Sequence, residues 1–164
     1  MGPRLAPRIL GVLFVLAGVW GLLAVYAFAQ IPSFAGAEDR RLLPLAILVA
    51  TANSVAGIAL FVRPILGFAV ALVAQIPQAF SFAVGSVAYA LNLWPNYRAE
   101  FFFQGLDPRD AHALFYSFTT TPSWILRTDA DYSGLGLGVD LVSTAVIVLL
   151  LGGLWAHRRT SRRA

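Results

Sequence analysis

The chain reads as an all-α integral membrane protein, a four-helix bundle with a long aromatic extracytoplasmic loop that contains a short interfacial helix. Three observations predict this. Four apolar stretches, about 9–29, 42–62, 65–92 and 136–156, are each long enough to cross the ~30 Å hydrocarbon layer at about 1.5 Å per residue. Hydrophobic residues make up 59% of the chain and charged residues 12%, with a mean hydropathy of +0.74. The charges also segregate: Arg4, Arg8, Arg63, Arg158, Arg159, Arg162 and Arg163 fall at one set of span ends without a single acid between them. The 164 residues leave room for one membrane domain, 1–164, and no separate soluble one.

The first stretch follows Arg4 and Arg8 and carries Gly11, Phe14, Gly18, Gly21 and Val25 on one helical stripe. Small residues at this spacing let membrane helices approach closely, so the segment is expected to stay as a span. The competing reading is a signal peptide ending at Ala27-Phe28-Ala29. In the second stretch Ala46, Ala50, Asn53 and Gly57 form a similar seam with an amide in its middle. A very short connection, Val62-Arg63-Pro64, then predicts an antiparallel pair with the third stretch. Asn53 lies 10 residues before Arg63 and Gln75 lies 11 after Pro64, so the two amides should meet at equal depth and hydrogen-bond.

The third stretch is read as a helix over 65–92, kinked at Pro77, with Gln75, Gln78, Ser81, Gly85, Ser86, Tyr89 and Asn92 on one polar face. Asn53, Gln75, Gln78 and Asn92 form the predicted polar intramembrane cluster. The tetrapeptide AQIP recurs at 29–32 and 74–77, with little similarity beyond it.

The outer loop, 93–135, is rich in aromatic residues. Asp107 as N-cap, Pro108 at the first helical position and Asp110 three residues after the cap predict a short helix, with Ala111, Leu114, Phe115 and Phe118 on its apolar face. Such a helix either lies on the membrane surface or offers a docking surface, for which Phe101, Phe102, Phe103, Phe115 and Trp124 are the candidates.

Asp140, at the start of the fourth stretch, is read first as a helix cap, with a salt-bridge or transport role as alternatives. Asp129, Asp131, Ser133 and Asp140 also match positions 1, 3, 5 and 12 of a calcium loop, but without Glu at the last position and without flanking helices, so a flexible acidic turn is the competing reading. His112 and His157 fall on opposite sides of the predicted bilayer, and there is no cysteine. No Ser-His-Asp spacing, phosphate-cradling glycine loop or HExxH motif is present. The expectation is therefore a non-enzyme with no catalytic residue, no metal and no cofactor.

Arginine placement predicts cytoplasmic termini and a plasma (inner) membrane location. The expected partners are the lipid bilayer and another membrane protein or a second copy, with no nucleic acid. The expected role is an accessory or interaction subunit of a membrane complex. The alternative is a small oligomeric channel or transporter lined by the amides.

Overall fold

The computed structural model describes residues 5–30, 39–94, 96–103, 112–119, 123–128 and 132–161. Among the described residues there are four helices, α1 (Leu5–Ala29), α2 (Leu43–Val62), α3 (Pro64–Ala79) and α4 (Leu141–Ser161), with a 3-10 turn at Asp39–Leu42 leading into α2. Between α3 and α4 the chain forms a six-stranded antiparallel sheet: β1 (Phe80–Gly85), β2 (Val87–Asn92), β3 (Asn96–Phe103), β4 (His112–Thr119), β5 (Ser123–Arg127) and β6 (Tyr132–Asp140). The spatial order is β4-β3-β6-β1-β2-β5. The protein is therefore α+β, and the all-α expectation is wrong.

Helices α1 and α2 are long and apolar enough to span a bilayer, with mean hydropathies of 2.4 and 2.2, a weak indication of membrane location. α3 and the stretch Leu141–His157 of α4 are shorter apolar helices. The small-residue seams are the contact surfaces. Gly11, Phe14, Gly18, Gly21 and Val25 are all buried on α1, as are Ala46, Ala50, Asn53 and Gly57 on α2. A Cβ at Gly57 would come within 2.6 Å of both Gly11 O and Val15 N, so the two backbones are nearly in contact. α2 and α3 are joined by Arg63 alone, whose N–H donates to Ala59 O at 2.7 Å. Gly67 on the following turn packs against the Leu60 backbone, closing an antiparallel hairpin.

The predicted third span overruns the real helix. α3 stops at Ala79, two residues past Pro77, and from Phe80 the chain is extended. Pro77 supplies no N–H to the ladder, and the residues that follow favour strand: Phe80, Phe82 and Val84 alternate with Ser81 and Ala83. Gly85 and Ser86 join the strands of the first hairpin, in which Val84 faces Val87. Gly85 has φ +56°, which the first loop residue of a type II′ turn requires. The fourth helix likewise begins at Leu141, because 136–140 belong to β6.

The outer segment is sheet as well. Leu114, Phe115 and Phe118, expected on an interfacial helix, lie on β4, while Asp107, Pro108, Asp110 and Ala111 lie outside the described residues. Its aromatic and β-branched residues satisfy their backbone groups in cross-strand pairs rather than in helical turns.

Two cores hold the molecule together. Val25, Leu42, Ala46, Val49 and Ala50 surround Leu91 and Leu93, both completely buried. Phe14, Ala56, Leu60, Phe68, Ala71 and Leu150 form the second, against which Trp94 packs edge-on to Phe14 at 5.3 Å. The β2–β3 connection is thus driven into the helices as a plug.

Candidate functional site

Of the four predicted intramembrane amides, Asn53 and Gln75 meet in the helical layer and Gln78 bonds the plug instead. Gln75 Nε2 donates to Asn53 Oδ1 at 3.3 Å, the contact that equal depth in the α2–α3 hairpin implies. Both side chains are 0% exposed. One turn on, Gln78 Nε2 donates to Ala74 O and its Oε1 accepts the Leu93 N–H at 3.1 Å, so this amide clamps the plug. Asn92 is buried as expected, but it reaches the interior from β2 and not from a helix. Asn53 Nδ2, Gln75 Oε1, Asn92 Oδ1, Trp94 Nε1 and Asn96 Nδ2 are buried without hydrogen-bond partners. Trp94 and Asn96 are members of this polar interior that the helical reading missed. No single period links them to Asn92 in the sequence, since Leu93 and Trp94 form a bend and Asn96 opens β3.

Asp140 is the N-cap of α4 and more. Its Oδ1 accepts from Val142 N at 3.2 Å and from Tyr97 N at 3.0 Å. Its Oδ2 accepts from Ser143 N at 3.0 Å and from the Ser143 hydroxyl. A single carboxylate thus starts the helix and ties it to β3. Asp129 and Asp131 lie outside the described residues; Ser133 sits in β6, whose extended course differs from a curled calcium loop. Among the described residues no cluster of acids or histidines could hold a metal.

The register sorts the sheet into two contrasting faces, because alternate residues share a face. On one, Leu114, Phe101, Leu137, Phe82, Tyr89 and Leu126 stand opposite one another in a row crossing all six strands. Leu114, Phe101, Leu137 and Phe82 remain 40–49% exposed. Tyr116 and Tyr97 stack beside that row at 6.0 Å. The five predicted docking residues divide by register: Phe101, Phe103 and Trp124 occupy this row's alternation, and Phe102 and Phe115 the other.

The opposite face is built from small residues. Ser81, Ala83, Ala88, Ala90, Gly136 and Gly138 floor a cavity of about 140 Å³, with Arg98 and Glu100 of β3 on one side and Ile125 of β5 on the other. Arg98 is only 9% exposed, and its Nη1 pairs with Glu100 Oε1 at 3.1 Å. The same Oε1 accepts from Ser81 Oγ at 3.5 Å. Gly138 makes this cluster possible: a Cβ there would run into Ser81 Oγ and come within 2.9 Å of Glu100 Cγ. Tyr89 stacks on Phe82 at 5.6 Å and donates its hydroxyl to Pro77 O at 2.7 Å. Burial raises the Tyr89 phenol from 10.0 to about 12, against a smaller opposing pull from the Arg98 charge. Read from sequence, Arg98 and Glu100 are ordinary loop charges; their spacing of two is what places them side by side on a strand.

No protein family matches the chain, and no curated protein or solved structure matches it either.

Proposed function

We propose that this protein is a multi-pass membrane protein and a non-enzymatic accessory subunit, whose sheet docks another membrane protein through its apolar face. The observation that carries the reading is the exposed row Leu114–Phe101–Leu137–Phe82, bordered by the Tyr97–Tyr116 stack. Contiguous apolar surface of this kind marks an interaction site, and aromatic residues dominate the energetics of such contacts. Charge placement supports cytoplasmic termini, with the sheet on the opposite side of the bilayer. At the end of α4, Arg159 lies over the Trp155 ring at 3.6 Å, an arrangement suited to a membrane–water boundary.

A conducting pathway would need the amides to face water. Asn53, Gln75, Gln78 and Asn92 are instead buried against protein, which favours the subunit reading.

The test is extraction from native membranes in mild detergent, with quantification of what co-purifies by mass spectrometry. A stoichiometric partner is expected, crosslinked by a photoreactive residue at Phe101 and lost on Phe101→Asp plus Leu137→Asp. Absence of any stoichiometric protein, or retention of it by a correctly folded double variant, overturns the proposal.

A further inference from the structure

We infer that the small-residue face of the sheet is a binding site for a neutral, ring-sized apolar molecule carrying one hydroxyl group, of the phenol class. Small side chains on the face opposite the proposed docking row build this site, with Phe82, Tyr89 and Leu137 of that row also contributing to its lining. Size comes first. The cavity of about 140 Å³ is close to the roughly 150 Å³ of an apolar cavity that admits benzene. Glycine, alanine and serine supply six of the lining residues, Phe82, Tyr89 and Leu137 of the same three strands also contribute, and Ile125 adds an apolar wall.

Polarity sets the second requirement. Glu100 lines the cavity with its side chain 29% exposed, and both of its contacts, from Arg98 and from Ser81, fall on Oε1. Among the described residues Oε2 has no hydrogen-bond partner, and Nη2 of Arg98, which also lines the cavity, is buried without one, so the ion pair offers one acceptor and one donor beside apolar walls. A ligand that fits must both donate and accept. Charge then decides between donors. Arg98 already neutralises Glu100 at 3.1 Å, so a cationic ligand would meet a guanidinium within reach, and a carboxylate ligand would face Glu100. A hydroxyl donates to Oε2 and accepts from Nη2 without adding charge to a partly buried site. The Tyr89 hydroxyl does not compete, because it is already donated to Pro77 O.

The experiment uses the full chain in detergent micelles and fluorine NMR with 4-fluorophenol, fluorobenzene and 4-fluorobenzylamine as probes. Ala90→Leu, which fills the floor, serves as the blank for partition into the micelle. Saturable binding of 4-fluorophenol is expected, at least tenfold tighter than fluorobenzene and 4-fluorobenzylamine, and absent in Ala90→Leu. Replacing both members of the ion pair, Arg98→Leu with Glu100→Leu, avoids leaving one charge buried alone. This double variant should still bind fluorobenzene but lose the tenfold preference for the phenol. Circular dichroism establishes that each variant is folded, and Ile125→Ala, which enlarges the cavity, provides a second route if the double variant does not fold: it should weaken 4-fluorophenol several-fold. No saturable phenol binding, equal binding in Ala90→Leu, tighter binding of the amine, or a preference that survives loss of both charges each overturns the inference.

Discussion

Replacing Asp140 by alanine should uncouple α4 from the sheet. The carboxylate accepts four hydrogen bonds, two of them from the first-turn N–H groups of Val142 and Ser143 and one from the Tyr97 N–H on β3. Loss of an N-cap typically costs about 1–2 kcal/mol. Leaving the half-buried Tyr97 N–H without its acceptor adds about 1 kcal/mol, at the low end for a buried orphan. The combined loss of about 2–3 kcal/mol corresponds to a fall in Tm of roughly 5–10 °C for a chain of this size. Asp140→Asn keeps one acceptor oxygen and should lose about a third to a half of that, whereas Ser143→Ala removes only the hydroxyl contact and should cost about 1 kcal/mol. Thermal unfolding in a single detergent, followed by circular dichroism, ranks the three. Near-wild-type stability for Asp140→Ala, or an asparagine variant as damaged as the alanine one, refutes the view that one carboxylate carries both connections.

Three further expectations follow from the packing. In a double-mutant cycle, Asn53→Leu and Gln75→Leu should show a coupling of about 0.6–2 kcal/mol in unfolding experiments, and additive losses would mean that the amide bond contributes nothing. Gly18→Ala should push α1 off α2 and destabilise the protein by about 1–3 kcal/mol, because the new methyl would sit 2.6 Å from both Ala50 O and Ser54 N; unchanged stability would show that the helices separate freely. Tyr89 should ionise near pH 12 in an ultraviolet titration compared with Tyr89→Phe. Its folded pKa exceeds the unfolded value of 10.0, so its contribution to stability is complete below pH 10 and is lost as pH rises towards 12. A titration of Tyr89 at its ordinary value would contradict its burial.

The helical layer was legible because its signals are short-range and redundant. Gly11, Gly18 and Gly21 repeat at helical spacing, and the one-residue connection at Arg63 made depth a matter of counting, which is why Asn53 and Gln75 meet. The sheet was hidden by composition. Between Phe80 and Asn92 every residue is apolar, small or an uncharged polar group, so the segment extends an apolar run long enough to span a bilayer. Its polar members Ser81, Ser86, Tyr89 and Asn92 also fall, with Gly85, within one helical arc of roughly 140°, which a helical reading takes as a buried face. The period of two was there in Phe80-Ser81-Phe82-Ala83-Val84, and Gly85-Ser86 is an ordinary two-residue hairpin loop. What periodicity could not reveal is the long-range pairing. β6 sits between β3 and β1, so Arg98, Glu100, Gly138 and Ser81 come together only once strands distant in sequence are in register.

That register also explains why one sheet can have two unlike surfaces. Along β6, Leu135, Leu137 and Val139 alternate with Gly136, Gly138 and Asp140, and β1 repeats the arrangement with Phe80, Phe82 and Val84 against Ser81 and Ala83. Pairing sets large against large and small against small: Phe82 meets Leu137, and Ser81 meets Gly138. A shift of one residue would bring Phe82 opposite Gly138 and carry the bulky side chains of β6 onto the small-residue face, where they would fill the cavity and strike the Arg98–Glu100 pair. The same constraint holds the sheet against the helices, because Asp140 can reach the Tyr97 N–H only when Arg98 stands opposite it. The cavity, the exposed aromatic row and the capped start of α4 are therefore three consequences of one register, and a slip of β6 would abolish all of them together.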